Sequence, residues 1–163
     1  MRVRKARHED VPAIAKVHVD AWLDTYRGLV PDAYLNRMSY EKRERLWEKN
    51  METSHIFVVE DEVYGVFGFA TWENRSSFGG YDSELSSLYI QEKFHQLGAG
   101  SALLSAVFRD ISEKRHHSMI VKVLSENPAC KFYEAKGAVK VKEVTITIEE
   151  ESLDETIYAW ELI

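Results

Sequence analysis

The chain is 163 residues long, 45% hydrophobic and 29% charged, with 8 Gly, 3 Pro and a single Cys, Cys130. That is the make-up of one ordinary globular domain, 1–163, which at this length buries roughly 70% of its unfolded surface and needs no disulfide framework or structural metal. Its 27 acidic and 21 basic side chains give a net charge of −6, which argues against a general nucleic-acid binder; with no apolar run of about 18 residues and no apolar leader after Met1-Arg2-Val3-Arg4-Lys5, a cytoplasmic protein without a membrane partner is expected.

A short strand opens at Val3 and stops near His8. Asp10 then stands as a helix cap with Pro12 in the first turn, and Val11, Ile14, Ala15, Val17 and Ala21 recur at helical spacing. Gly28 and Pro31 interrupt, and a second helical stretch is expected from Asp32 through Tyr34, Leu35 and Met38 to Leu46 and Trp47. Its basic run Lys42-Arg43-Glu44-Arg45, flanked by Glu41 and Glu48, reads as a solvated helix face. From His55 the pattern turns to strands: a hairpin of 56–59 and 63–70 around Glu60-Asp61-Glu62, with Gly65 and Gly68 marking a bulge or a close backbone approach. A third strand, Glu84 to Ile90, alternates Glu84, Ser86, Leu88 and Ile90 on one face with Leu85, Ser87 and Tyr89 on the other.

Leu103, Leu104, Val107, Phe108 and Ile111 form the apolar stripe of the clearest helix. Residues 119–124 read as a strand, Asn127-Pro128 starts a short helix, and Gly137 ends it. Two strands close the chain, roughly 138–148 and 156–163, with a slip in apolar register after Val141 and an acidic hairpin tip between them. The order is strand, two helices, three strands, helix, strand, helix, two strands, which defines an α+β or mixed α/β sheet and excludes a doubly wound nucleotide fold.

The chemistry concentrates where the third strand runs into Gly98-Ala99-Gly100 and the long helix. The first N–H groups of that helix have no partners within it, and two glycines let a ligand approach closely, so the turn suits a phosphate or pyrophosphate; a plain strand-to-helix turn is the competing reading. Gly100 is followed by Ser101-Ala102 without the lysine of a P-loop, and position 103 is Leu where a dinucleotide fingerprint needs a third glycine.

The window from His95 through Gly98 to Gly100 resembles the pyrophosphate-binding signature of the GNAT superfamily of acetyl-CoA-dependent N-acetyltransferases, with His95 where Gln or Arg is usual. The segment Asn127-Pro128-Ala129-Cys130-Lys131-Phe132-Tyr133-Glu134-Ala135-Lys136-Gly137-Ala138 is similar to a second motif of that family, with Cys130 where alanine is common and Ala138 where an aromatic is common. The stretch from Ala21 to Asp32 looks like one bacterial branch of it. The resemblance covers nearly the whole chain and implies a central, mostly antiparallel sheet flanked by helices, with coenzyme A in a V-shaped split. Leu88, Tyr89 and Ile90 would hold the pantetheine arm as an added strand. His95, Gln96, Leu97, Gly98, Ala99, Gly100 and Ser101 would hold the pyrophosphate, and Asn127 and Tyr133 would also touch the cofactor.

In that reading an amine attacks the acetyl thioester directly, and Tyr133 is the candidate general acid for the departing thiolate, against the alternative that it only fills the core. Glu84, expected to share a face with Leu88, is the candidate base, against a plain surface carboxylate. Trp22 and Tyr26 are candidates for the acceptor-pocket wall, though aromatics near a helix end are commonly core. Cys130 reads as a small buried hydrophobe. The six histidines form no HxxxH and no cysteine pair exists, so no metal is expected. A non-catalytic acyl-CoA-binding module and, more weakly, a nucleotide-binding domain are the rival functions. The acceptor is a primary amine of a small molecule or peptide, with the acidic balance around Asp82 and Glu84 leaning toward a cation. The strand at 156–163 offers an edge for a homodimer.

Overall fold

The runs at 56–59, 66–72, 119–124 and 156–160 are rich in β-branched and aromatic residues with apolar side chains for both faces, and strands of that kind belong inside a sheet covered on two sides. The computed structural model, which describes residues 1–161, builds them into one seven-stranded sheet. Along the chain lie β1 (Arg2–Lys5), α1 (Val11–Tyr26), α2 (Asp32–Leu35), α3 (Tyr40–Thr53), β2 (His55–Asp61), β3 (Gly65–Glu73), β4 (Glu84–Ile90), α4 (Ala99–Glu113), β5 (Ser118–Leu124), α5 (Ala129–Ala135), β6 (Val139–Ile148) and β7 (Glu151–Glu161). The strand order is β1-β2-β3-β4-β5-β7-β6. Every neighbouring pair is antiparallel except β4 and β5, which run parallel.

Each face of the sheet has its own core. Leu103, Leu104, Val107 and Ile111 of α4 pack with Phe57, Val59, Trp72, Leu85, Val121 and Trp160 on one side. On the other, Ile14 and Val17 of α1 and Trp47 of α3 cover Ile56, Val58 and Phe69. Gly68 marks a close approach, as expected: a Cβ there would sit 2.6 Å from Ile90 Cδ1 and 2.8 Å from Val59 Cγ1. Beside it Phe67 is an extra residue in β3, between the pairs Val59–Gly68 and Glu60–Val66.

Several expectations are corrected. The helical stretch from Asp32 to Trp47 is two helices, because Ser39 adopts an extended backbone and its Oγ caps α3 by accepting the Lys42 N–H at 3.2 Å. Asp10 does not cap α1 with its side chain. Its carboxylate instead accepts from the Arg7 N–H at 2.7 Å and the Arg4 guanidinium at 2.8 and 3.0 Å, tying β1 to the start of α1. The β2–β3 turn falls two residues later than read, at 62–64, because Asp61 Oδ1 accepts both the Val63 and Tyr64 N–H groups.

The two faces of β4 are also not those of simple alternation. Ser87 pairs with Thr71 and Leu85 with Trp72, so Ser86 is a bulge. The extra residue reverses the alternation, and Leu85, Leu88 and Ile90 all meet the α4 side while Tyr89 meets the α1 side. Glu84 therefore does not share a face with Leu88. The last strand begins earlier than 156, since Glu149 and Glu150, both at positive φ, make a two-residue turn. β7 lies between β5 and β6, so both its edges are used and the free edge belongs to β6; residues 162–163 of the expected strand lie outside the described residues.

Candidate active site

β4 and β5 pair only at Glu84–Ile120 and Leu85–Val121. Past the Ser86 bulge they separate, which leaves the β5-facing backbone edge of β4 without a strand partner along Ser87–Ile90. The split opens a cleft of about 610 Å³ between β4, β5, the end of α1 and the start of α4. An extended amide-containing chain can pair with such a free edge as an added strand would.

The glycine turn closes one end. Gln96 and Gly98 both have positive φ. The first intrahelical bond of α4 runs from the Ala102 N–H to the Gly98 carbonyl, so the N–H groups of Ala99, Gly100 and Ser101 are unpaired within the helix and the dipole adds partial positive charge. Gly100 matters for proximity: a Cβ there would lie 3.3 Å from Phe132 Cζ and 3.9 Å from Leu88 Cδ2. The His95 ring nitrogen Nε2 sits 2.9 Å from the Ile90 carbonyl oxygen, and only its protonated form can donate to that acceptor. His95, Gln96, Gly98, Ala99, Gly100 and Ser101 line the cleft. The Leu97 side chain, 62% exposed, points to solvent.

Leu88, Tyr89 and Ile90 line the central part, with Asn127, Phe132 and Tyr133 opposite. Asn127 Oδ1 accepts the Ala129 N–H at 2.8 Å, which starts α5, and its Nδ2 donates to Tyr26 Oη at 2.9 Å. Tyr133 is 5% exposed. Burial, then the nearby Tyr26 and Cys130, push its phenol well above the usual range, so it stays protonated near neutral pH and has a proton to donate. Its hydroxyl makes no hydrogen bond to another described residue.

Tyr26 lines the cleft, while Trp22 stands behind it, ring centroids 4.3 Å apart, and donates its indole N–H to Tyr89 Oη at 3.0 Å. The Glu84 carboxylate accepts the Ser77 N–H at 2.8 Å and the Ser77 hydroxyl at 2.5 Å, and does not line the cleft. Asp82 is spent on the His117 and Ser118 N–H groups, away from the cleft. Lys122, Asp24 and Thr25 line the cleft without having been singled out in the sequence. Lys122 had a visible signal, a lone cation inside the apolar run 119–124. Near it, burial pushes the Glu155 carboxyl up, with Lys122 opposing and Glu84 adding to the effect. Among the described residues no three His, Cys, Asp or Glu side chains are grouped to hold a metal, and no helix is long and apolar enough to cross a membrane.

A parallel pair that splays beside a glycine turn, in an otherwise antiparallel sheet, defines an acyl-CoA N-acyltransferase fold of the GNAT type. The FR47-like protein family matches residues 68–146. The Uncharacterized N-acetyltransferase YuaI of Bacillus subtilis (strain 168) is 39% identical over 159 residues, covering 97% of this chain and 91% of that protein. The fold is shared with an N-acetyltransferase from Staphylococcus aureus Mu50, at TM-score 0.78 and 21% identity over 99% of this chain and 98% of that one. It is also shared with the PaiA N-acetyltransferase of Thermoplasma acidophilum in complex with coenzyme A, at TM-score 0.77 and 18% identity over 98% of each chain. The chain belongs to the GNAT family of N-acetyltransferases and is an enzyme of that class.

Proposed function

We propose that this enzyme transfers the acetyl group of acetyl-CoA directly to a primary amine of a small molecule or peptide, in the cleft between β4 and β5. The observation that carries the reading is the convergence of three features there: a free β4 edge, unpaired N–H groups at the start of α4, and a buried phenol on α5. They fit, in order, the amide-bearing arm, the pyrophosphate and the sulfur of one extended molecule. In support, the PaiA structure holds coenzyme A.

In this mechanism the amine nitrogen bonds to the acetyl carbon and the carbon–sulfur bond breaks, with a backbone N–H near Leu88 stabilising the oxyanion and Tyr133 giving its proton to the sulfur. An amine of pKa about 10 arrives protonated and must first lose a proton. Glu84, oriented by Ser77, takes it through water, because its carboxylate stands outside the cleft wall. His95 holds the Ile90 carbonyl and so fixes the end of β4 against the turn that receives the pyrophosphate.

The test is thiol release from acetyl-CoA with a panel of amines that includes spermidine and an alanyl peptide. Turnover with at least one amine, with the product acetylated on nitrogen, is expected. Binding of acetyl-CoA without thiol release across the panel would reject this choice of acceptor.

A further inference from the structure

Asn127 has a fixed amide orientation. Its Oδ1 accepts the Ala129 N–H at 2.8 Å, so the nitrogen end must face Tyr26 Oη, 2.9 Å away. An amide NH₂ donates and does not accept, so the Tyr26 oxygen is the acceptor in that bond and its own hydroxyl proton must point elsewhere. No described residue accepts it. Tyr26 is 5% exposed and its ring is pinned by Trp22. Tyr26 lines the cleft, so a ligand lying there is what that hydroxyl proton can meet. Tyr26 arrives from the end of α1 and Tyr133 from α5, and the two line the same cleft.

We propose that Tyr26 is a second catalytic phenol: with its oxygen tied to Asn127, its hydroxyl proton hydrogen-bonds the thioester sulfur as the carbon–sulfur bond breaks. This rests on the reading of the cleft given above. The electron pair of that bond goes to sulfur and Tyr133 transfers a proton to it; the nitrogen, having already lost one proton to Glu84 before attack, gives up its second as the amide forms, and that proton restores the Tyr133 phenol through water. Tyr26 gives up no proton. It stabilises the sulfur while negative charge builds, in a site where a fixed donor acts more strongly than water would.

The experiment compares the full chain with Tyr26→Phe, Tyr133→Phe and Asn127→Asp, measuring thiol release at saturating acetyl-CoA with whichever of spermidine or the alanyl peptide the unaltered enzyme acetylates, and coenzyme A affinity by calorimetry. Tyr26→Phe is expected to lower kcat by on the order of tenfold or more while the coenzyme A Kd stays within about twofold. Asn127→Asp offers a carboxylate oxygen to the Tyr26 proton and draws it from the cleft, so kcat falls with Tyr26 still present, and adding Tyr26→Phe costs nothing further. An unchanged kcat in Tyr26→Phe, or a weakened Kd with kcat retained, overturns the inference and leaves Tyr26 as a support for Asn127. If Tyr133→Phe also keeps its full kcat, the reading of the cleft fails as well.

Discussion

His18 sits in the apolar layer under α1, its Nδ1 accepting the Trp47 indole N–H at 3.0 Å and its ring stacked 5.4 Å from Tyr89. Burial, helped by the charge of Arg43, pushes its pKa down to about 3, so the folded protein keeps it neutral while the unfolded chain protonates it below about pH 6.5. A base with a depressed folded pKa lowers stability as pH falls through that interval, by up to ~1.4 kcal/mol per pH unit and about 2.7 kcal/mol at pH 4.5. His18→Asn keeps an acceptor for Trp47 and removes the titration. Urea unfolding should show a flatter pH dependence for the variant between pH 6.5 and 4.5; parallel curves would contradict this. Gly68 is a second position where one atom decides. Its missing Cβ is the space filled by Ile90 and Val59, so Gly68→Ala should cost about 1–3 kcal/mol, seen as a lower Tm.

At the scale of elements, what was legible was local. Amphipathic spacing gave α4, the glycines at 98 and 100 gave its start, and Asn127-Pro128 gave the start of α5. The Ser86 bulge was not legible, because it is defined by the register of β3 against β4, and Glu84-Leu85-Ser86-Ser87 alternates acceptably without it. That one residue changes which side chains of β4 face α4, and it removed the argument that put Glu84 beside Leu88. The single helix expected from Asp32 to Trp47 failed for a related reason. Ser39 reads as tolerable in a helix until its Oγ is seen capping the next one. The turn before α4 carries a prediction of its own. Gly100→Ala sets a methyl against Phe132 at 3.3 Å and displaces the first turn of α4 from β4, so acetyl-CoA binding by calorimetry should weaken about tenfold while Tm falls by less than about 3 °C. Equal affinity would show that the turn tolerates the shift.

Across the whole molecule, β1 to β4 and the group β5, β7 and β6 share only two paired positions in the sheet, and the α4 core holds them together below the split. A ligand lying in the cleft touches both groups and binds only the folded state. Acetyl-CoA at about 100 times its Kd should therefore add roughly 2.7 kcal/mol, raising Tm by about 5–10 °C, with NAD and ATP giving no comparable rise. An equal rise with ATP would mean that the turn recognises phosphate alone.

By itself the sequence determined the kinds of element and nearly their order, the phosphate-suited turn and the two motifs that resemble the GNAT family, because capping, glycine placement and amphipathic spacing act within a few residues of chain. Tertiary structure alone decided the rest: the parting of β4 from β5, the bulge that sets the faces of β4, the seat of Glu84 on Ser77 and the meeting of Tyr26 with Asn127, 101 positions apart. Those features depend on register and on contacts between distant segments, and a one-residue slip in a strand exchanges its faces without altering its composition.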